Sequence, residues 1–174
     1  MKKLFLAIFI FSIILQNVIS QNTLPAIIPT PVMMETKNED FNFSKNTILF
    51  SSNSELKSDI DLFNSILNKR YHFTLSSQNK LPKTDFIELI LVKTLPKEAY
   101  KIEMNSQKIT ISGDNAGIFY GLISLTQMLP VKIENSAKIS CVNIYDYPRF
   151  LWRGMHLDVS RHFFPKEFIY KYLD

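Results

Sequence analysis

The chain has 174 residues, 46% of them hydrophobic and 13% aromatic, which suits a packed domain and excludes a disordered tether. Its formal charge of +4 falls to +2 without Lys2 and Lys3, and the other lysines form no basic stripe, which argues against nucleic acid as a partner. One cysteine, Cys141, excludes an internal disulfide framework.

"MKKLFLAIFIFSIILQNVIS" reads as a signal peptide over residues 1–20. Lys2 and Lys3 form a basic start, Leu4 to Leu15 an apolar stretch short for a membrane span, and Val18 and Ser20 suit a cleavage site. The rival reading is an N-terminal membrane anchor. Cleavage would leave Gln21 first and no stable membrane span. An exported chain without disulfides is expected in the periplasm or outside the cell, in a bacterial envelope.

Pro25, Pro29 and Pro31 in "LPAIIPTPVMME" suit an extended edge segment, since proline cannot donate to a central ladder. "KNEDF" reads as a solvated turn and "NTILF" as a short strand. Leu56, Ile60, Phe63 and Leu67 recur at helical spacing between Glu55 and Lys69, with Ser54 as the cap. Strands are then predicted at "YHFTL", "FIELILV", "AYKIEM" and "KITIS", the last two forming a hairpin around "NSQ". In "SGDNAGIFYGLISLTQMLP" the period turns helical, through Ile118, Leu122, Leu125 and Leu129 to the stop at Pro130. Gly117 and Gly121 share a face there and would let the helix approach the sheet closely. "GDNAG" lacks the spacing of a phosphate loop. A last strand, "AKISCVNIY", buries Cys141 as a structural thiol. The expected fold is α+β over residues 21–145, an antiparallel-rich sheet with helices on one face.

Residues 146–174 have a different character. "RFLWRGMHLDVS" alternates. Leu151, Arg153, Met155, Leu157 and Val159 form one face; Trp152, Gly154, His156, Asp158 and Ser160 form the other. A strand with two buried faces, one of them polar, fits the inner wall of a barrel. "HFFPKEFIYKYLD" then begins a helix, with Pro165 in its first turn and Phe168, Ile169 and Tyr172 as its stripe. The order strand, loop, helix is the first unit of a (β/α)8 barrel, whose sites gather at the C-terminal strand ends. Arg161 and His162 would sit there. Arg153 reads as a structural ion-pair partner and Asp158 as an acid neutralised by an arginine. Trp152 reads as packing, and His72, His156 and His162 as non-catalytic side chains; no metal or cofactor is expected.

"DYPRFLWRGMHLDVSRHFFP" resembles the segment that opens the catalytic barrel of family 20 glycoside hydrolases, the β-N-acetylhexosaminidases. The resemblance rests on Asp146, Pro148-Arg149-Phe150, Arg153-Gly154, Leu157-Asp158 and Ser160-Arg161-His162-Phe163. Upstream, "IIPTPV" and "GIFYGLISLTQMLP" resemble the α+β domain before that barrel, a domain shared with other glycosidases. The resemblance implies that Arg161 binds sugar hydroxyls; an ion pair with Asp158 is the alternative for this residue. It also implies glycans with terminal N-acetylhexosamine as substrates and a reaction in which the substrate's acetamido oxygen attacks the anomeric carbon. An Asp–Glu pair assists that attack in the family. This chain has no such pair: Glu39-Asp40 is reversed and early in the chain. The fragment by itself is therefore expected to be inactive, with no catalytic residue of its own. The competing readings are another glycosidase with the same accessory domain, O-GlcNAcase-like or α-glucuronidase-like, and a non-catalytic glycan-binding module.

Overall fold

A computed structural model describes residues 24–78 and 80–173. The expected leader at residues 1–20 lies outside them. The elements are β1 (Met33–Ser44), β2 (Ile48–Ser51), a 3-10 turn (Ser54–Leu56), α1 (Lys57–Tyr71), β3 (Ser76–Gln78), β4 (Phe86–Leu91), β5 (Tyr100–Met104), β6 (Lys108–Gly113), α2 (Asn115–Met128), β7 (Ser136–Asp146) and α3 (Lys166–Leu173). One seven-stranded sheet runs in the order β1-β7-β5-β6-β4-β2-β3.

The sheet is mixed, which corrects the expectation of an antiparallel-rich one. The pairs β1/β7, β7/β5 and β5/β6 are antiparallel, whereas β6/β4, β4/β2 and β2/β3 are parallel. One parallel pair follows from α1, which carries the chain from β2 over to β3, since a helical crossover returns a strand in the same direction. "YHFTL" is not a strand. Tyr71 ends α1, and His72 closes it in the left-handed conformation (φ 61°), its N–H donating to the Asn68 carbonyl at 3.0 Å. At the other end Ser54 does not cap α1: Leu56 holds the N-cap position without a side-chain bond, and Asn53 caps the preceding 3-10 turn, its side chain accepting from Glu55 N–H at 2.8 Å.

Cross-strand register sorts the side chains. Ile87, Ile109 and Met104 form one row, and Leu89, Ile111, Ile102 and Ile144 the next. These residues are buried in one core with Ile60, Phe63 and Leu67 of α1 and Ile118, Leu122 and Leu125 of α2. The opposite face carries Glu88, Thr110, Glu103 and Asn143 at the intervening positions. Along β7 the alternation changes phase between Cys141 and Val142, both fully buried, where the register with β1 shifts between Thr36 and Asp40. That irregularity falls at "KNEDF", which is strand and bulge rather than a solvated turn. Burial, reinforced by Glu39 and Asp40, pushes the Cys141 thiol up from its ordinary range, as suits a structural thiol.

The barrel strand predicted over residues 149–160 is not formed. No residue from 147 to 165 pairs in a ladder, and Leu151, Trp152 and Met155 are exposed. Alternation alone does not make a strand; the backbone needs a partner edge, and none of the described strands offers one to this segment. Pro165 does precede α3, its carbonyl accepting from Phe168 N–H at 3.0 Å, but no α3 side chain is buried.

Among the described glycines, the closest approach is at Gly117 of α2 and Gly113 at the end of β6, both against Ala99 just before β5. A Cβ added to Gly117 would lie 2.1 Å from the Ala99 carbonyl oxygen, and one on Gly113 would lie 2.7 Å from the same atom. Backbone cannot yield as a flexible side chain can. Gly117→Ala is expected to lose about 3 kcal/mol of unfolding free energy, read by urea denaturation. Gly154→Ala, with nothing within 4 Å of the new methyl, should leave the midpoint unchanged.

Candidate functional site

The chain leaves β7 at Asp146, and this acid begins the region of interest. One of its oxygens accepts from Val32 N–H at 3.1 Å, and the other from the Tyr100 hydroxyl at 3.3 Å. Tyr100 also meets the Ser124 hydroxyl at 2.7 Å. The register explains the meeting: Tyr100 opens β5 directly opposite Asp146, with its ring on the face covered by α2. Burial is the main cause that pushes the Tyr100 phenol up to about 12; the Ser124 hydroxyl opposes this and the Asp146 carboxylate adds to it.

Around this network lies a cavity of about 500 Å³, walled by Ile27 to Thr30, by Tyr120, Ile123 and Gln127 of α2, and by Tyr147, Pro148, Phe150 and Arg153. Several of its polar groups are engaged with the protein. Gln127 accepts from Ile28 N–H at 2.9 Å and donates to the Ile28 carbonyl at 3.1 Å. Arg149 donates to the Thr30 carbonyl at 3.4 Å. Arg153 pairs with Glu98 and donates to the Tyr120 hydroxyl at 3.4 Å and to the Phe150 carbonyl at 2.8 Å. The cavity is thus a seam joining residues 27–32, α2 and residues 146–153.

Arg161 lies outside this seam. Asp158 organises the loop before it, one carboxylate oxygen accepting from Ser160 N–H at 2.9 Å and from Arg161 N–H at 3.2 Å. The other oxygen meets Arg161 Nε at 3.3 Å, with the arginine side chain 87% exposed. The contact of the pair is made through Nε. His156 and His162 are exposed, and Trp152 is 91% exposed rather than packed. Arg153 is an ion-pair residue, as its place in the sequence suggested. Its partner Glu98 was not legible, because the two are 55 residues apart. The Tyr100–Ser124 contact was missed too; the only sequence signal was a tyrosine opening an otherwise aliphatic strand. Among the described residues, no group of three or more His, Cys, Asp or Glu side chains could hold a metal ion, and no helix is long and apolar enough to cross a membrane.

Comparison with known proteins follows the same division. The family model for glycosyl hydrolase family 20, domain 2, matches residues 24–147, and that for the family's catalytic domain matches residues 150–174. A β-hexosaminidase of Porphyromonas gingivalis is 31% identical over 158 residues, 85% of this chain and 20% of that protein. β-Hexosaminidase subunit A2 of Dictyostelium discoideum is 31% identical over 188 residues, 98% of this chain and 34% of that protein. Among solved structures, the family 20 exo-β-N-acetylglucosaminidase of Vibrio harveyi, in complex with N-acetylglucosamine, superposes with a TM-score of 0.73 at 28% identity. That match covers 86% of this chain and 23% of the other. The family 20 β-N-acetylhexosaminidase of Streptomyces coelicolor superposes with a TM-score of 0.74 at 25% identity, covering 87% and 32%. The chain therefore spans between a fifth and a third of these relatives.

The Tyr100 network carries a pH dependence. With the folded phenol ionising near 12 and the unfolded one near 10, the folded state alone holds this proton between those values. Stability must therefore fall as pH rises from about 10 to about 12, by about 2–3 kcal/mol from this group. Tyr100→Phe is expected to be less stable at pH 8, through loss of the Ser124 contact, and to show a shallower decline above pH 10. Urea midpoints across that range read both effects, and parallel declines in the two proteins would refute the assignment.

Proposed function

Because the chain belongs to glycosyl hydrolase family 20, we propose that it serves the hydrolysis of terminal, non-reducing N-acetylhexosamine residues from glycans, as the N-terminal part of a β-N-acetylhexosaminidase. The observation that carries this is the succession of two matches, the accessory domain over residues 24–147 and the catalytic domain over 150–174, with two residues between them. The names of the relatives, hexosaminidases from bacteria and from Dictyostelium, support the same substrate class.

In this reading Arg161 binds the sugar. A guanidinium stays charged at all working pH values and offers parallel donors at the spacing of neighbouring ring hydroxyls. Asp158 fixes the loop through two backbone N–H groups and meets Nε, and the Nη fork takes the ligand. The ion pair and the sugar contact are then compatible, with Asp158 aiming the arginine. The reaction is substrate-assisted: the acetamido oxygen displaces the leaving group, retention follows from a second displacement by water, and a protein acid protonates the departing oxygen. Residues 24–174 supply Arg161 but no adjacent Asp–Glu pair for that work, so the activity belongs to a polypeptide that adds one.

The test is kinetic. The polypeptide encoded by the complete reading frame should cleave a chromogenic N-acetylglucosaminide, and residues 24–174 by themselves should not. In that polypeptide Arg161→Lys keeps the charge and loses the fork, so kcat/KM should fall by roughly tenfold or more, part of it in kcat. Near-wild-type constants with a lowered Tm would instead make Arg161 a structural partner of Asp158. Turnover of an unsubstituted glucoside in place of the N-acetylglucosaminide would favour a different glycosidase.

A further inference from the structure

Three non-glycine residues have positive φ: His72 (61°), Asp85 (60°) and Glu98 (65°). His72 caps a helix, and Asp85 lies beside the sheet, its N–H donating to the Gln107 carbonyl at 2.7 Å. Glu98 takes its positive φ as the third residue of a turn closed by Ala99 N–H donating to the Pro96 carbonyl at 3.0 Å, a position that glycine or asparagine usually fills. A bulky residue held there costs conformational energy and persists only where its surroundings fix it.

The surroundings are specific. Glu98 N–H donates to Asp114 Oδ2 at 3.0 Å, while Asp114 Oδ1 caps α2 by accepting from Gly117 N–H at 2.7 Å. The next residue, Ala99, is fully buried with its carbonyl wedged between Gly113 and Gly117. One aspartate therefore ties the Glu98 backbone to the helix start, and two glycines admit the neighbouring peptide. What this fixed corner presents is the Glu98 carboxylate, and its partner is Arg153. Arg153 lies three residues inside the segment that matches the catalytic domain, and it also holds the Phe150 carbonyl at 2.8 Å.

We propose that Glu98 is a positioning residue: the accessory domain sets the course of the first catalytic segment through the Glu98–Arg153 pair, braced by Tyr120. Asp146 and Arg149 secure the chain where it leaves β7, and Glu98 secures it again at Arg153. The loop that presents Arg161 begins five residues later at Asp158. The inference rests on residues 150–174 opening a catalytic domain. Its test reads backbone order rather than turnover, so it can fail while the assignment of activity stands, and the reverse.

The test is hydrogen exchange by mass spectrometry on the 174-residue chain and three variants. In Glu98→Gln, amides in peptides covering 150–157 should exchange roughly two- to fivefold faster, with β5 and β6 peptides unchanged. The charge-swapped double variant Glu98→Lys with Arg153→Glu should return those amides to the wild-type rate, which a purely structural role for Glu98 would not produce. Glu98→Gly removes the carboxylate but accepts the left-handed backbone at no cost, so its Tm should hold or rise while the same peptides loosen. It also keeps the question open to measurement if Glu98→Gln folds poorly. Unchanged rates in 150–157, a uniform increase over the whole chain, or a local increase that the double variant does not reverse would each overturn the proposal.

Discussion

The close approach of α2 to the first residues of β5 is the constraint on which the rest of the structure depends. Two glycines four residues apart leave room for the Ala99 peptide, and the adjoining Asp114 both starts the helix and holds Glu98. Close packing of this kind has two consequences. It aligns Tyr100 beneath α2, where its hydroxyl can reach Ser124 and Asp146 together. It also turns Glu98 outward, toward the segment that follows β7. A side chain at either glycine would move the helix, and with it both contacts.

The seam between the accessory domain and the catalytic segment is polar in its bonds and apolar in its walls. Its bonds run from side chain to backbone: Gln127 to Ile28, Arg149 to Thr30, Asp146 to Val32. Such bonds fix two irregular segments beside each other without a ladder, and they satisfy backbone groups that a loop packed on a domain would otherwise leave unpaired. The sugar-binding role we propose for Arg161 lies outside this seam, beside its ion pair with Asp158. This separation gives the two regions different jobs. In the reading proposed here, the seam sets where the segment after β7 runs, and the Asp158 loop sets how Arg161 is presented.

Periodicity was the strongest sequence signal wherever neighbours in space are also neighbours in sequence. The stripes of α1 and α2, the hairpin around Asn105 to Gln107 and the buried Cys141 strand were all legible. The direction of strands was not, because "FIELIL" reads the same in a parallel or an antiparallel ladder. "YHFTL" failed because its β-branched and aromatic residues said strand while α1 continued through Tyr71 and needed a left-handed residue at His72. "RFLWRGMHLDVS" alternates as a barrel strand should, but a strand is made by its partners, and the described residues hold none for it. The role proposed for Arg161 comes from its Ser-Arg-His-Phe setting in the sequence. Glu98 was not, since no local pattern marks an acid that is important only for a residue 55 positions away.

The single tryptophan, Trp152, stands next to Arg153 and is a ready probe of the coupling between the glycine corner and the catalytic segment. Gly113→Ala crowds the Ala99 carbonyl without altering Glu98, Arg153 or Tyr120. Time-resolved fluorescence anisotropy of Trp152, at a temperature where far-UV circular dichroism shows both proteins folded, would compare the two directly. If the corner positions the segment, the fast, segmental component of the decay gains amplitude at the expense of the slow tumbling component in Gly113→Ala, while the spectrum of the fold is kept. An identical decay in the two folded proteins would show that the segment is held independently of the corner, contrary to the structure's central claim.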